Sequence, residues 1–220
     1  MRVWVTRTQP QAEATAMRLR RAGHQPVVQP VLASRSLPDV AIDLSDASAI
    51  AFTSQNAVDA FAVLTLRRDL PVFATGEATA GAARAAGFGA VTSADGDVEA
   101  LAGLILAQRP DGVVVWPGPA EPAGDLAALL QAGGVKARRV LVYETVPVHS
   151  AAPTAIDAVL VHSPRAARLL AGMISPQAAE QLELFAISPA AAAPLAALPF
   201  VRVSVAPHPD ETALLALINA

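Results

Sequence analysis

The second half of the chain repeats the first, segment by segment and in the same order. Residues 49–61 (AIAFTSQNAVDAF) resemble 158–170 (AVLVHSPRAARLL), 72–80 (VFATGEATA) resemble 184–192 (LFAISPAAA), and 97–105 (DVEALAGLI) resemble 210–218 (DETALLALI). The opening follows suit, with residues 3–5 set against 113–115. Aligning Ser54 with Ser163, Gly76 with Ser188, Asp97 with Asp210 and Gly23 with Gly133 gives offsets of 109, 112, 113 and 110 residues. Four segments in order at a near-constant offset point to an internal duplication. A chain of 220 residues then holds two lobes, each near the common size of a small domain.

Within each repeat a short apolar run is followed by a hydroxyl or glycine turn and then by a helical pattern. In the first half the strand–helix pairs are 3–5 with 10–22, 49–52 with 56–66, 72–74 with 78–86, and 90–92 with 98–108. In the second they are 113–116 with 123–132, 158–161 with 165–173, 185–187 with 190–198, and 201–205 with 211–219. This alternation predicts an α/β fold of two lobes, each a parallel sheet flanked by helices. The unbroken apolar character of the strands fits sheets covered on both faces. Two stretches break the rhythm at equivalent points, 25–32 (QPVVQPVL) and 139–147 (RVLVYETVP). Long, extended and proline-interrupted, they suit edge strands or connectors and read together as a two-stranded linker.

Composition narrows the function classes. Hydrophobic residues make up 53% and charged residues 16%, against about 25% charged in an average soluble domain, which excludes a disordered chain. The apolar stretches are short or broken, as where 190–193 is soon followed by Pro194 and Pro199. None approaches the roughly 20 residues of a spanning helix, and residues 1–6 are too short for the core of a secretory signal. With no cysteine there is no disulfide, thiolate metal site or cysteine nucleophile. These features lead to the expectation of a cytoplasmic protein with no membrane partner. The formal charge is −3, from 16 basic and 19 acidic residues, with Lys136 the one lysine and the arginines scattered. That argues against a nucleic-acid partner but leaves room for a small anion held by local groups.

Hydroxyls gather where strands give way to helices: Thr6, Thr8, Thr53, Ser54, Thr75, Thr79, Ser163 and Ser188. Parallel sheets bind ligands beyond the carboxyl ends of their strands, and helix N–H groups there attract anions. The same residues are ordinary helix caps, so a capping role and an anion-binding role both stand. Gly76–Gly81 mimics the spacing of a phosphate loop, but Ala82-Ala83 occupies the place of the required Lys-Ser/Thr. His24, His149, His162 and His208 are too dispersed for a metal site. His162 and Ser163 are strand neighbours pointing to opposite faces, which makes a Ser–His pair improbable. No carboxylate pair suggests acid/base work, and Glu77 and Glu121 read as helix-dipole partners. Tyr143, the one tyrosine, is either a packed aromatic or a phenol serving as proton donor. Arg7 and Arg165 each follow a strand at a helix start, as solvated surface groups or as partners for a ligand carboxylate.

With these residues assembled, the chain resembles the uroporphyrinogen-III synthase family. The matching segments are 5–7 (VTR), 52–58 (FTSQNAV), 76–80 (GEATA), 142–145 (VYET) and 161–164 (VHSP), which follow the family's order along almost the whole chain. The resemblance implies two α/β lobes joined by a two-stranded ladder, with the active site between them. Lobe 1 would comprise 1–30 and 149–220, lobe 2 would comprise 34–140, and the linker strands would lie near 25–33 and 139–148. It implies a hydro-lyase that needs no cofactor or metal and acts on hydroxymethylbilane, a linear tetrapyrrole rich in carboxylates. Loss of the hydroxyl gives an azafulvene, ring D attacks through its substituted carbon to form a spiro intermediate, and rearrangement yields uroporphyrinogen III with ring D inverted. Unaided closure gives the symmetric type I isomer, so the protein's task is positional control.

Carried over residue by residue, the substrate-contacting helix starts fall at Ser54, Thr79 and Ser163, and Tyr143 becomes the catalytic candidate that assists departure of the hydroxyl. Arg7, Gly76 and Ser188 join them as substrate-binding candidates. The last helix start departs from the family, reading Ser188-Pro189-Ala190-Ala191 where hydroxyls commonly follow a Gly-Pro. The resemblance further implies a monomer that receives its substrate from hydroxymethylbilane synthase. The rival reading is a non-catalytic two-lobed module that binds an anion or tetrapyrrole. The alanine-rich last corner speaks for that module, whereas Tyr143 with Ser54 and Ser163 favours the enzyme.

Overall fold

Short apolar runs become strands and the segments after them become helices. The computed structural model describes residues 1–122 and 124–219. It begins with β1 (Arg2–Val5), α1 (Gln11–Arg21), β2 (Gln25–Val28), β3 (Leu32–Ser36), β4 (Ala47–Phe52), α2 (Gln55–Leu64) and β5 (Val72–Ala74). There follow α3 (Glu77–Ala85), β6 (Val91–Ser93), α4 (Val98–Gln108), β7 (Val113–Pro119), α5 (Leu126–Ala132) and β8 (Ala137–Pro147). The chain closes with β9 (Ala158–Val161), α6 (Pro164–Met173), α7 (Pro176–Ala179), β10 (Glu183–Ala186), α8 (Pro189–Ala192), β11 (Arg202–Val205) and α9 (Glu211–Ala216).

Two compact units result, Met1–Ala33 with Val146–Ala220, and Ser34–Thr145. One sheet has the strand order β11-β10-β9-β1-β2, parallel throughout. The other has the order β3-β8-β7-β4-β5-β6 and is parallel from β8 to β6. Helices cover both faces of each sheet. In the first unit Val3, Val5, Leu160 and Phe185 pack with Leu19 of α1 and Leu214 of α9. Trp4, Val159, Val161 and Leu184 turn the other way, toward Ala167 and Leu170 of α6, as the two-residue period of a strand requires. In the second unit Ile50 and Phe52 pack with Phe61 and Phe88 on one face. Ala49, Ala51 and Trp116 pack with Leu101, Ile105 and Leu130 on the other.

Helix starts are fixed locally. Ser54, Asp97, Asp125, Ser163, Ser175, Ser188 and Asp210 each accept the backbone N–H three residues on. Such caps stabilise by about 1 kcal/mol each.

Several elements differ from the sequence pattern. Gln25–Val28, expected as part of a linker, is an edge strand in full register with β1. At an edge the missing N–H of Pro26 breaks no ladder. The helix expected from residue 123 begins at Leu126, capped by Asp125; Ala123 lies outside the described residues. The helix expected at 190–198 is the short α8 followed by a 3-10 turn at Ala193–Leu195, since Pro194 cannot continue an α-helix. Likewise α9 ends at Ala216 and passes into a 3-10 turn at Leu217–Asn219. The four-residue α7 is too short to show a period, although Ser175-Pro176 carries a cap followed by proline.

Gly112 leads into β7 with φ +140, where a Cβ would lie 2.9 Å from Ser48 Cβ and 3.1 Å from the Asp46 carbonyl oxygen. Gly112→Ala is expected to lower the unfolding free energy by about 2 kcal/mol. Gly103, inside α4 with open space where a Cβ would stand, is the contrast: Gly103→Ala is expected to raise it by about 0.5–1 kcal/mol. Denaturant unfolding of both variants checks the opposite signs.

Candidate functional site

Within the second unit, β4 ends at Phe52 and the chain turns outward through Thr53 and Ser54. Ser54 is extended, at φ −159 and ψ 154, which lets its Oγ accept the Ala57 N–H that opens α2 at 3.2 Å. On the neighbouring β7, the Trp116 indole N–H donates to Thr53 Oγ1 at 3.3 Å. β8 then runs beside β7, and after an irregularity between Gly118 and Pro119 it places Tyr143 level with Pro119. There the Tyr143 and Ser54 hydroxyls share a hydrogen bond of 3.1 Å. Thr53, Ser54, Trp116, Tyr143 and Thr145 line a pocket of about 280 Å³ together with Pro119 and Pro122. Arg139 lies over the Trp116 ring at 5.4 Å and donates to the carbonyls of Pro119 and Ala120, which ties the pocket wall to the strand.

Tyr143 is 7% exposed. Burial pushes its phenol above the ordinary tyrosine range, and the hydrogen bond with Ser54 offsets only part of that. The group is therefore a neutral proton donor at physiological pH. One strand over, α3 starts at Gly76 with no side-chain cap, so no side chain competes for its first N–H groups. Thr79 is buried in the first turn of α3, its own N–H bonded to the Gly76 carbonyl at 3.0 Å.

In the first unit Ser163 reproduces the Ser54 geometry, at φ −157 and ψ 151, with Oγ accepting the Ala166 N–H at 3.2 Å. Ser188 does the same for Ala191, at the head of a helix of only four residues. Thr6 is fully buried and donates to the Leu160 carbonyl at 2.6 Å. Arg7 is engaged: its Nη1 donates to Glu211 Oε2 at 2.7 Å and reaches Thr15 Oγ1 at 3.4 Å. Thr15 donates to Glu211 Oε1 at 2.5 Å, and His162 Nε2 lies 2.9 Å from Glu211 Oε2.

Burial pushes the Glu211 carboxyl up. Hydrogen bonds from His162 and Thr15, with the electrostatic pull of His162 and Arg7, outweigh that and hold it at about 2. Burial also lowers Arg7, against the raising effect of Glu211.

The structure thus brings Tyr143, Ser54 and the Gly76 helix start to one end of the second unit's sheet, and gathers Arg7 with Thr15, His162 and Glu211 in the first. Sequence reasoning placed neither Glu211 nor His162 in a functional cluster. Alternation along β9 sends His162 away from the α6 side, but its partner lies 49 residues on, and Glu211 lies 204 residues from Arg7. Among the described residues no group of three or more His, Asp or Glu has the arrangement of a metal site, and no helix is long and apolar enough to cross a membrane.

A family model, uroporphyrinogen-III synthase HemD, matches residues 13–216. That stretch takes in Ser54, Gly76, Thr79, Tyr143, Ser163 and Ser188 and begins after Arg7. No curated protein matches the chain. Among solved structures, a uroporphyrinogen-III synthetase from Helicobacter pylori is 18% identical, with 99% of this chain and 97% of that chain covered and a TM-score of 0.66. A mutant uroporphyrinogen III synthase from Thermus thermophilus is 16% identical, with 99% and 97% covered and a TM-score of 0.49. At 18% identity the Helicobacter pylori likeness bears on the fold, which it shares as an α/β protein of parallel sheets flanked by helices.

Because the Glu211 carboxyl is depressed by folding from 4.5 to about 2, its contribution to stability is complete above about pH 4.5 and is lost as pH falls toward 2. Glu211→Gln is expected to be less stable at pH 7 and to show a shallower loss of stability between pH 4.5 and 2. Unfolding measured across that range checks both.

Proposed function

The chain belongs to the uroporphyrinogen-III synthase family, and on that footing we propose that it closes hydroxymethylbilane to uroporphyrinogen III, with inversion of ring D and loss of water. The observation that carries the residue-level reading is the buried Tyr143 hydroxyl, bonded to Ser54 at 3.1 Å in the wall of a pocket at the carboxyl edge of a parallel sheet. Either hydroxyl can donate in that bond; when Ser54, whose Oγ also accepts from Ala57, gives its proton to the Tyr143 oxygen, the phenol proton is left for the pocket. In this reading Tyr143 protonates the departing hydroxyl of the substrate as a general acid. Water leaves as the pyrrole nitrogen supplies the electron pair, and the ring is left as the protonated azafulvene. Ring D then attacks through its substituted carbon, the spiro intermediate opens, and the ring recloses inverted. The proton released when the closed macrocycle regains its aromatic pyrroles returns to Tyr143.

The protein's larger contribution is to hold the two ends of a flexible chain in register. Substrate carboxylates are met by backbone N–H groups at the uncapped start of α3 at Gly76, one turn before the buried Thr79, and at the helix starts of Ser54, Ser163 and Ser188, with Arg7 as a cationic partner. The same reading has lobe 1 at 1–30 and 149–220, lobe 2 at 34–140, and linker strands near 25–33 and 139–148, of which Gln25–Val28 also serves as the edge strand of the first sheet. It makes the enzyme a cytoplasmic monomer supplied by hydroxymethylbilane synthase. The short helix behind Ser188 is what favours the alternative, a module that binds a tetrapyrrole without converting it.

A coupled assay separates the two. Hydroxymethylbilane is generated in place, the products are oxidised, and the isomers are resolved by chromatography. Predominant type III is expected from this chain, and type I alone from folded protein would overturn the enzyme reading. Tyr143→Phe is expected to lower kcat by about 10²-fold with type III still the main product. An unchanged kcat and isomer ratio would remove Tyr143 from the reaction.

A further inference from the structure

The general-acid reading makes no use of Thr15, His162 or Glu211, three polar groups gathered around Arg7 at the carboxyl end of β1. Arg7 has its Nη1 held by Glu211 Oε2 at 2.7 Å, while its Nε and Nη2 make no hydrogen bond to any described residue. Its side chain is 27% exposed. A guanidinium pinned through one nitrogen, with its Nε–Nη2 edge open, has the shape that receives a carboxylate with two parallel hydrogen bonds. The pin itself is fixed at both oxygens: Thr15 holds Oε1 at 2.5 Å and His162 Nε2 meets Oε2 at 2.9 Å. His162, with its side chain 8% exposed, leaves Nδ1 buried and without a partner. An unsatisfied buried nitrogen is a penalty that an apolar side chain there would not carry, and the contact with Glu211 is what the imidazole supplies in return.

We propose that Glu211, steadied by His162 and Thr15, is a positioning residue that holds Arg7 in place to receive one carboxylate of the tetrapyrrole. The inference rests on the reading that a polycarboxylate tetrapyrrole is the ligand. Freed of Glu211, the long arginine side chain would have to be ordered by the ligand itself, which weakens binding. Glu211 therefore acts through Arg7 and not beside it.

The test titrates uroporphyrin III, the fluorescent oxidised form of the product ring, against wild type, Arg7→Ala, Glu211→Gln and the double variant, with thermal unfolding recorded for each. Arg7→Ala and Glu211→Gln are each expected to raise Kd about tenfold, and the double variant no further than Arg7→Ala alone. Losses that multiply in the double variant, or a Glu211→Gln that changes Tm and leaves Kd alone, overturn the proposal. So does a wild type that fails to bind the porphyrin. A wild type that binds it with the expected variant pattern but makes no type III isomer upholds the positioning role while the synthase reading falls. Should Glu211→Gln not fold, Thr15→Val, which removes the 2.5 Å bond to Oε1 together with the longer 3.4 Å contact to Arg7 Nη1, takes its place. A Kd raised about threefold then supports the proposal, and an unchanged one overturns it.

Discussion

From β11 to β2 in one sheet and from β8 to β6 in the other, each strand lies parallel to its neighbour, and much else follows from that. Parallel strands are joined by crossovers that lay helices over both faces. Strand interiors are then sealed by apolar packing, and β4 and β9 carry no polar side chain over Ala49–Phe52 and Ala158–Val161. Polar chemistry is pushed to the strand ends, where helix N-termini and hydroxyls meet. Thr53, Ser54 and the Gly76 helix start lie there in the second unit, as do Thr6, Arg7 and His162 in the first. Tyr143 reaches the same level because β8 is eleven residues long and β7 ends beside it.

The two clusters solve different electrostatic problems. Among the described residues the Tyr143 hydroxyl makes no ion pair: burial keeps the phenol neutral, and it shares a hydrogen bond with a neutral serine. Such a phenol keeps its proton at physiological pH and can offer it as a hydrogen bond, while the raised pKa makes it a weaker acid. Around Glu211 charge is concentrated and balanced, one carboxylate receiving Arg7, Thr15 and His162. A carboxylate so surrounded stays ionised across the working range and makes a fixed anchor. The chain's net charge of −3 is no bar to an anionic ligand that is met by local donors such as helix N–H groups and a guanidinium.

What was legible in the sequence was what is decided locally. Strand and helix positions follow from short-range periodicity, and a serine cap reaches only three residues along the chain. The family resemblance tied Tyr143 and Ser54 to one site, yet the hydrogen bond across the 89 residues between them has no local sequence signal. The same holds more strongly for Glu211. It reads as one more acidic residue in a first turn, and its partners Arg7 and Thr15 belong to the opposite end of the chain. Thr79 illustrates a different limit. Its hydroxyl marked a helix start, but with Ala80 and Ala83 it falls on the inward face of α3, where the helical period buries it. The proline-rich 25–32 stretch split between an edge strand and the start of β3, because proline is tolerated at an edge and reveals little about which sheet the edge belongs to.

The claim at the centre of this account is that the Tyr143 pocket receives the tetrapyrrole. The chain has only two tryptophans, and their indole N–H groups report from different places. Trp116 donates to Thr53 in the pocket wall, and Trp4 donates to the Gln29 carbonyl in the first unit. A proton–nitrogen NMR titration with uroporphyrin III, with Trp4→Phe to assign the two signals, is therefore the most direct measurement. The account predicts that the Trp116 indole signal shifts progressively and saturates with the binding curve. A Trp116 signal that stays in place while the porphyrin is fully bound would contradict it.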